Sequence, residues 1–236
     1  MKLSKVLKVQ KSIRQKRIQS LFFIGSGILS VIFILITFYG QQAGNFVMTV
    51  DYDAYKRGIV LSNDESFNNA QARLMTRPVG EARDMTYSWL KLEEVSATTG
   101  NYRDPDYDYV AYTFYLQNNG VEAVDILYHI RITDTYKGMD EAIRVLVIEE
   151  GVETIYQKPD HNPGGGVLIS YPLELQRTEK FLSETIVTRK RISNFTPGQI
   201  RKFSVVMWIE GTDPDCTDDI LGGMIKLQMN FSIEKP

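Results

Sequence analysis

Nineteen consecutive residues, "LFFIGSGILSVIFILITFY" at positions 21 to 39, carry no charge. About 20 helical residues at 1.5 Å each span a hydrocarbon core, so the run reads as a single transmembrane helix. Lys2, Lys5, Lys8, Lys11, Arg14, Lys16 and Arg17 precede it with no acidic residue among them. The positive-inside rule then makes residues 1–20 a basic cytoplasmic tail beside anionic lipid headgroups and puts residues 40–236 outside the cell membrane. A cleaved signal peptide is the competing reading. Its apolar region runs to only about 7–15 residues, however, and "GQQAGN" offers a poor cleavage site around Ala43. A helix buried in a soluble core would keep a polar edge, which this run lacks.

Removing the tail changes the charge balance. The whole chain is net −2, but seven of its 27 basic residues precede residue 40, which leaves 20 against all 29 acidic residues, a net of −9. Such a domain is a poor partner for nucleic acid. The single cysteine, Cys216, allows no intrachain disulfide, so the external part must hold together by burying a core.

That part reads as mainly β. In "MIKLQMNFSI" Ile225, Leu227, Met229, Phe231 and Ile233 alternate with polar residues, the period of a strand with one buried face. "RKFSVVMWIE" puts Phe203, Val205, Met207 and Ile209 on one face and Val206 and Trp208 on the other, as in a central strand covered on both sides. "YVAYTFYLQ" and "VEAVDILYHIRIT", joined through Asn118-Asn119-Gly120, predict a hairpin with a type I′ turn. "IRVLVIEEGVETIYQK" predicts another, turning near Gly151, and "ETIVTRKRI" precedes the final strand pair. Shorter strands are expected at "GNFVMTVD", "GIVLS" and "MTYSWLKLEEV", with a helical turn at "GMDEAI" capped by Asp140. Many short strands and no long amphipathic helix indicate one extracellular β-sandwich over residues 40–236, jelly-roll or Ig-like. "PDHNPGGGV" at 159 to 167 reads as a long surface loop.

Catalytic signatures are missing from the sequence. The two histidines, His129 and His161, lie outside any H-E-x-x-H pattern, and no G-x-S-x-G elbow or phosphate-binding Gly-Lys-Ser/Thr is present. Asp104, Asp106 and Asp108 have the spacing that opens an EF-hand loop. The required Gly and Glu are Tyr109 and Tyr115, so that motif fails. A weak calcium site assembled from Asp104, Asp106, Asp108, Asp213 and Asp215 remains as a candidate, against solvated acidic turns. In "EGTDPDCTDDILGG", residues 210 to 223, Asp213-Pro214 starts a turn and Thr217 or Asp218 caps a short helical one. The aspartates beside Cys216 disfavour its thiolate.

Taken with the basic N-terminus and single apolar segment, "YGQQAGNFVMTVD", "AYTFYLQNNG", "DEAIRVLV" and "WIEGTDPDCTDDILGG" resemble a group of uncharacterised membrane-anchored surface proteins of Gram-positive bacteria. More distantly the chain is similar to the TasA and camelysin class of exported matrix proteins. That resemblance implies a jelly-roll-like sandwich. Camelysin relatives are labelled proteases, but no zinc motif stands here to carry that activity over. Three functions follow as expectations: a structural or interaction protein of the envelope, assembling with itself or with protein partners; a calcium- or glycan-binding surface module built on Asp104 to Asp108 and the neighbouring tyrosines; and a hydrolase of unfamiliar site. No other cofactor is expected.

Overall fold

The computed structural model describes residue 19 and residues 21–34, 45–161 and 173–234. The basic tail apart from residue 19, positions 35–39 of the apolar run and residues 162–167 of the glycine-rich loop lie outside them. The chain divides into two units, Met1–Gln42 and Ala43–Pro236. In the first, residues 21–34 form helix α1, and every one of them is exposed. Among the described residues no helix is long and apolar enough to cross a membrane.

The second unit is mainly β. Its elements run β1 (Asn45–Val50), α2 (Tyr52–Lys56), β2 (Ile59–Ser62), β3 (Arg73–Met75), α3 (Leu92–Ala97), β4 (Gly100–Asn101), β5 (Val110–Asn118) and β6 (Val124–Tyr136). There follow α4 (Met139–Ala142), β7 (Ile143–Glu149), β8 (Val152–Gln157), β9 (Glu179–Lys180), β10 (Ile186–Phe195), β11 (Ile200–Ile209) and β12 (Met224–Ile233). A five-stranded sheet has the order β10-β6-β12-β1-β3, and a seven-stranded one the order β2-β5-β11-β7-β8-β9 with β4 also on β5. Both are mixed, because β1 runs parallel to β12 and β9 parallel to β8.

The sheets share one core. Phe114 and Phe203 from the larger sheet stack at 5.3 Å, and Phe203 meets Phe231 of the smaller one at 5.6 Å and Tyr128 at 5.7 Å. Such aromatic pairs add about 0.5–1.5 kcal/mol each beyond the area they bury. The larger sheet is apolar on its other face as well. There Val206 and Trp208 join Leu146, Ile148 and Ile155 under a cover that includes Met85, Val95 and Leu175. β11 is thus central and buried on both sides, as its sequence predicts, and Ile225, Leu227, Met229 and Phe231 of β12 all point into the shared core.

Three local expectations are corrected. β5 and β6 do not form a hairpin: β5 lies in the larger sheet and β6 in the smaller. Both edges of β5 are occupied, by β11 along one side and by β2 and β4 along the other. The Asn118-Asn119-Gly120 bend instead carries the chain between sheets. Buried Asn118 holds it, donating from Nδ2 to the carbonyls of Glu122 and Phe195 at 2.8 and 2.7 Å, while its Oδ1 accepts the Gly120 N–H. Gly120 is needed for close approach, since a Cβ there would strike the Arg57 carbonyl. The turn with positive φ at both central residues is Glu150-Gly151, in the β7–β8 hairpin that the sequence also predicts.

Second, "MTYSWLKLEEV" is no strand. Tyr87–Trp89 form a 3-10 turn and Leu92–Ala97 the helix α3, because Leu92 and Val95, three residues apart, both pack on the second core. Third, Asp140 sits inside α4 rather than capping it. The cap is Gly138 with left-handed backbone, and the Asp140 side chain turns to Thr135 and Lys158.

Candidate functional site

The acidic connection between β11 and β12 closes over the start of β7. Arg144, the second residue of β7, is fully buried, and its Nη2 lies 2.6 Å from Asp213 Oδ2. The other oxygen of Asp213 accepts the Asp215 N–H at 2.8 Å, a turn fixed by the Asp-Pro-Asp sequence. Glu210, also buried, accepts from Trp208 Nε1 at 2.9 Å and Thr212 Oγ1 at 2.7 Å. Asp218–Ile220 form the expected 3-10 turn, without a side-chain cap from Thr217, and Gly222 at φ +71 releases the chain towards β12. Burial raises the Asp213 carboxyl above its ordinary range, against the pull of Arg144, and nearby Asp160 adds to the rise. The Cys216 thiol is pushed up to about 11 by burial and by Asp84, Asp213 and Glu210, so it is protonated at neutral pH.

Around this connection lies a denser set of charges. Lys158 Nζ contacts Asp140, Glu141 and Glu184 at 2.6, 2.7 and 2.6 Å. Burial works against its charge, but the three carboxylates hold its pKa above the usual lysine range. His161 donates its backbone N–H to Asp215 at 2.7 Å, and its Nδ1 lies 2.7 Å from Glu141. Two groups of metal-type ligand atoms fall within 4.8 Å of one another: Asp160, Asp213 and Asp215, and Glu141, His161 and Asp215. The carboxylates among them can present oxygens to a hard divalent cation, whereas His161 offers a ring nitrogen. The cations already in place, Arg144 on Asp213 and Lys180 at 3.9 Å from Asp160, oppose one there.

A second Asp-Pro-Asp, at residues 104 to 106, makes the same turn elsewhere. Asp104 Oδ1 accepts the N–H groups of Asp106 at 2.8 Å and Tyr107 at 3.2 Å, and Oδ2 accepts the Tyr109 hydroxyl at 3.3 Å. Lys91 Nζ lies 3.4 Å from Asp104 and 3.2 Å from Asp106. Burial alone would raise the Asp104 carboxyl, but these amides and Lys91 bring it below its ordinary range. The turn forms one wall of a cleft of about 310 Å³, whose lining includes Asp108, Tyr102, Tyr107, Tyr109, Arg77 and Arg103. Trp89 stacks on Tyr107 at 5.1 Å, and the Tyr102 hydroxyl donates to Glu94 at 2.6 Å.

The predicted acidic residues therefore separate into two places. Asp104 and Asp106 share Lys91, with Asp108 in the adjoining cleft, whereas Asp213 and Asp215 gather with Asp160. Among the described residues no ligand grouping joins the two sets.

No protein-family model matches the chain, and no curated protein matches it. Among solved structures, a β-glucosidase from Kluyveromyces marxianus in complex with glucose has 12% identity and a TM-score of 0.28. The likeness covers 75% of this chain and 16% of that one, and a TM-score so low carries no argument.

Sequence reasoning passed over Arg144, Lys158, Glu141 and Asp160, and named Asp140 only as a helix cap. One signal was available: a lone arginine inside the apolar run "AIRVLVI" needs a buried counter-charge, and an acidic segment is the natural source. The other four come together only through the tertiary fold.

Proposed function

We propose that the protein is a single-pass membrane-anchored, extracytoplasmic β-sandwich with a structural or protein-interaction role at the cell envelope. The observation that carries this reading is α1. It is apolar on every side and exposed along its described length, the surface that a hydrocarbon solvent covers and water does not. The basic residues before it favour a cytoplasmic N-terminus on anionic headgroups. Strand order supports a jelly roll: β1-β12-β6-β10 facing β5-β11-β7-β8 is the eight-strand arrangement of that fold, with β1 parallel rather than antiparallel to β12. A non-catalytic role fits side chains already committed to structure, namely Asp104 and Asp213 in their turns and Cys216 as a protonated thiol.

Strand addition has little edge to use. β3, β2 and β9 have three, four and two residues, and the long edge strand β10 carries Arg189, Lys190 and Arg191 and two register shifts. Short, charged and bulged edges resist pairing with a further strand, so faces and loop ends are the better contact surfaces. The test is alkaline extraction of membranes that contain the full-length chain, followed by crosslinking in place. Retention in the pellet, release on deleting residues 21–39, and crosslinks to envelope proteins or a second copy are expected. A freely soluble or strictly uncrosslinked protein would contradict the reading.

The cleft beside Asp104 favours a second reading, a calcium- or glycan-binding surface module, since it joins an acidic turn to three tyrosines. Calorimetry with calcium on the native protein and on Asp106→Ala decides it, and absence of both heat and thermal shift would end it.

A further inference from the structure

The outer face of the five-stranded sheet holds a row of side chains that the β-register aligns across every strand. Arg73 on β3 pairs with Thr49 on β1, Thr49 with Asn230 on β12, Asn230 with His129 on β6, and His129 with Arg189 on β10. At roughly 4.8 Å per strand the row is about 19 Å long, with a guanidinium at each end and neutral hydrogen-bonding groups between. Its middle is fixed in place. Thr49 Oγ1 donates to Asn230 Oδ1 at 2.9 Å, Gln228 Nε2 donates to Thr49 Oγ1 at 3.0 Å, and Arg131 donates twice to Gln228 Oε1, at 3.1 and 2.7 Å.

The charges on this face are uneven in a useful way. Asp125 and Glu234 neutralise Arg191, and Asp134 lies 3.5 Å from Lys226. Among the described residues no carboxylate pairs with Arg73, Arg131 or Arg189, although the external part of the chain is net −9. Burial, followed by Arg131 and Arg189, lowers the pKa of His129, so its imidazole offers one donor and one acceptor at neutral pH.

We propose that this face binds an acidic polysaccharide laid across the strands. Guanidinium groups match carboxylates in a planar, bidentate way, and hydroxyl groups suit the Thr49, Asn230 and Gln228 side chains. The wide spacing of Arg73 and Arg189 selects a polymer whose charges are sparse and separated by neutral polar units. A uniformly charged phosphate chain would set most of its charge over neutral Thr49 and Asn230. This surface is distinct from the cleft beside Asp104 and does not depend on what that cleft binds.

The experiment uses the full-length chain in nonionic detergent, titrated by calorimetry with oligosaccharides of hyaluronan, in which a neutral sugar separates successive uronates. Dextran serves as the neutral control and inorganic polyphosphate as the densely charged one. The expected result is uronate binding that weakens with added salt and falls about tenfold or more in Arg73→Gln/Arg189→Gln, at an unchanged melting temperature. Both side chains are exposed, so the fold should tolerate the change, and Arg189→Gln alone should show an intermediate loss. No uronate binding, equal binding by the variant, or a preference for polyphosphate would overturn the proposal. So would salt-sensitive self-association abolished by the same pair, because the occupant would then be the acidic loop end of a second copy.

Discussion

Asp104-Pro105-Asp106 and Asp213-Pro214-Asp215 have the same sequence and the same turn, yet the first aspartate of each has opposite chemistry. In both, the leading carboxylate accepts the N–H two residues on at 2.8 Å. Exposure does not separate them, at 5% for Asp104 and 4% for Asp213. Their surroundings do. Asp104 gains a second amide and Lys91, which with the first amide outweigh burial and lower its pKa. For Asp213 burial prevails over the buried Arg144 and the Asp215 amide, Asp160 adds to the rise, and its pKa goes up. Three residues fix a turn; the charges folded around it determine how the carboxylate behaves. The Asp104 turn faces a cleft and remains a candidate for ligand contact, whereas the Asp213 turn locks the β11–β12 connection onto β7.

Arg144→Met should break the comparison hardest. It leaves the buried Asp213 carboxylate without its guanidinium, and loss of one partner from a buried pair costs about 3–5 kcal/mol. Denaturant unfolding measures this, and adding Asp213→Asn should recover part of the loss. Next comes Asp104→Ala, which strands two amide donors and a phenol at a cost of about 1.5–3 kcal/mol. Asp104→Asn should be milder, because the amide oxygen keeps the turn.

The acid dependence of the two Asn variants should differ in sign. With its folded pKa depressed, Asp104 contributes stability that is present above about pH 3.9, the unfolded value, and lost as pH falls through the lower folded one. The advantage of the native protein over Asp104→Asn therefore shrinks below that pH. With its folded pKa raised, Asp213 contributes stability that is present below about pH 3.9 and lost as pH rises through the folded value. The native protein should thus compare best with Asp213→Asn in acid. Thermal melts across pH 3 to 7 read both slopes. Smallest of all, Lys91→Met should leave the melting temperature unchanged within error, since Lys91 is half-exposed and solvent screens its pairs.

How much of this could be read in advance depended on whether the cause was local. The last two strands were legible, because alternation in "MIKLQMNFSI" and a doubly apolar "FSVVMWI" follow directly from which faces are buried. The β7–β8 turn was legible for the same reason, since Glu150-Gly151 supplies both positive φ values in place. Asn119-Gly120 looked equally strong and misled. Whether two strands pair depends on free edges, and β2, β4 and β11 had filled those of β5. The alternation in "MTYSWLKLEEV" concealed Leu92 and Val95, whose helical spacing matters only once a second apolar face exists to receive them. As for the candidate site, the turns at Asp104 and Asp213 were visible. Lys158 and Asp140, 18 residues apart, meet only because β7 and β8 bring them together.

The most direct measurement is an NMR titration of the side-chain carboxyl carbons of Asp104 and Asp213 in the intact domain fold, followed from neutral pH into acid. If the folded surroundings set the chemistry of each turn, Asp213 takes up its proton first, above the ordinary aspartate range, and Asp104 last, below it. Coincident midpoints, or Asp104 titrating before Asp213, would contradict the account.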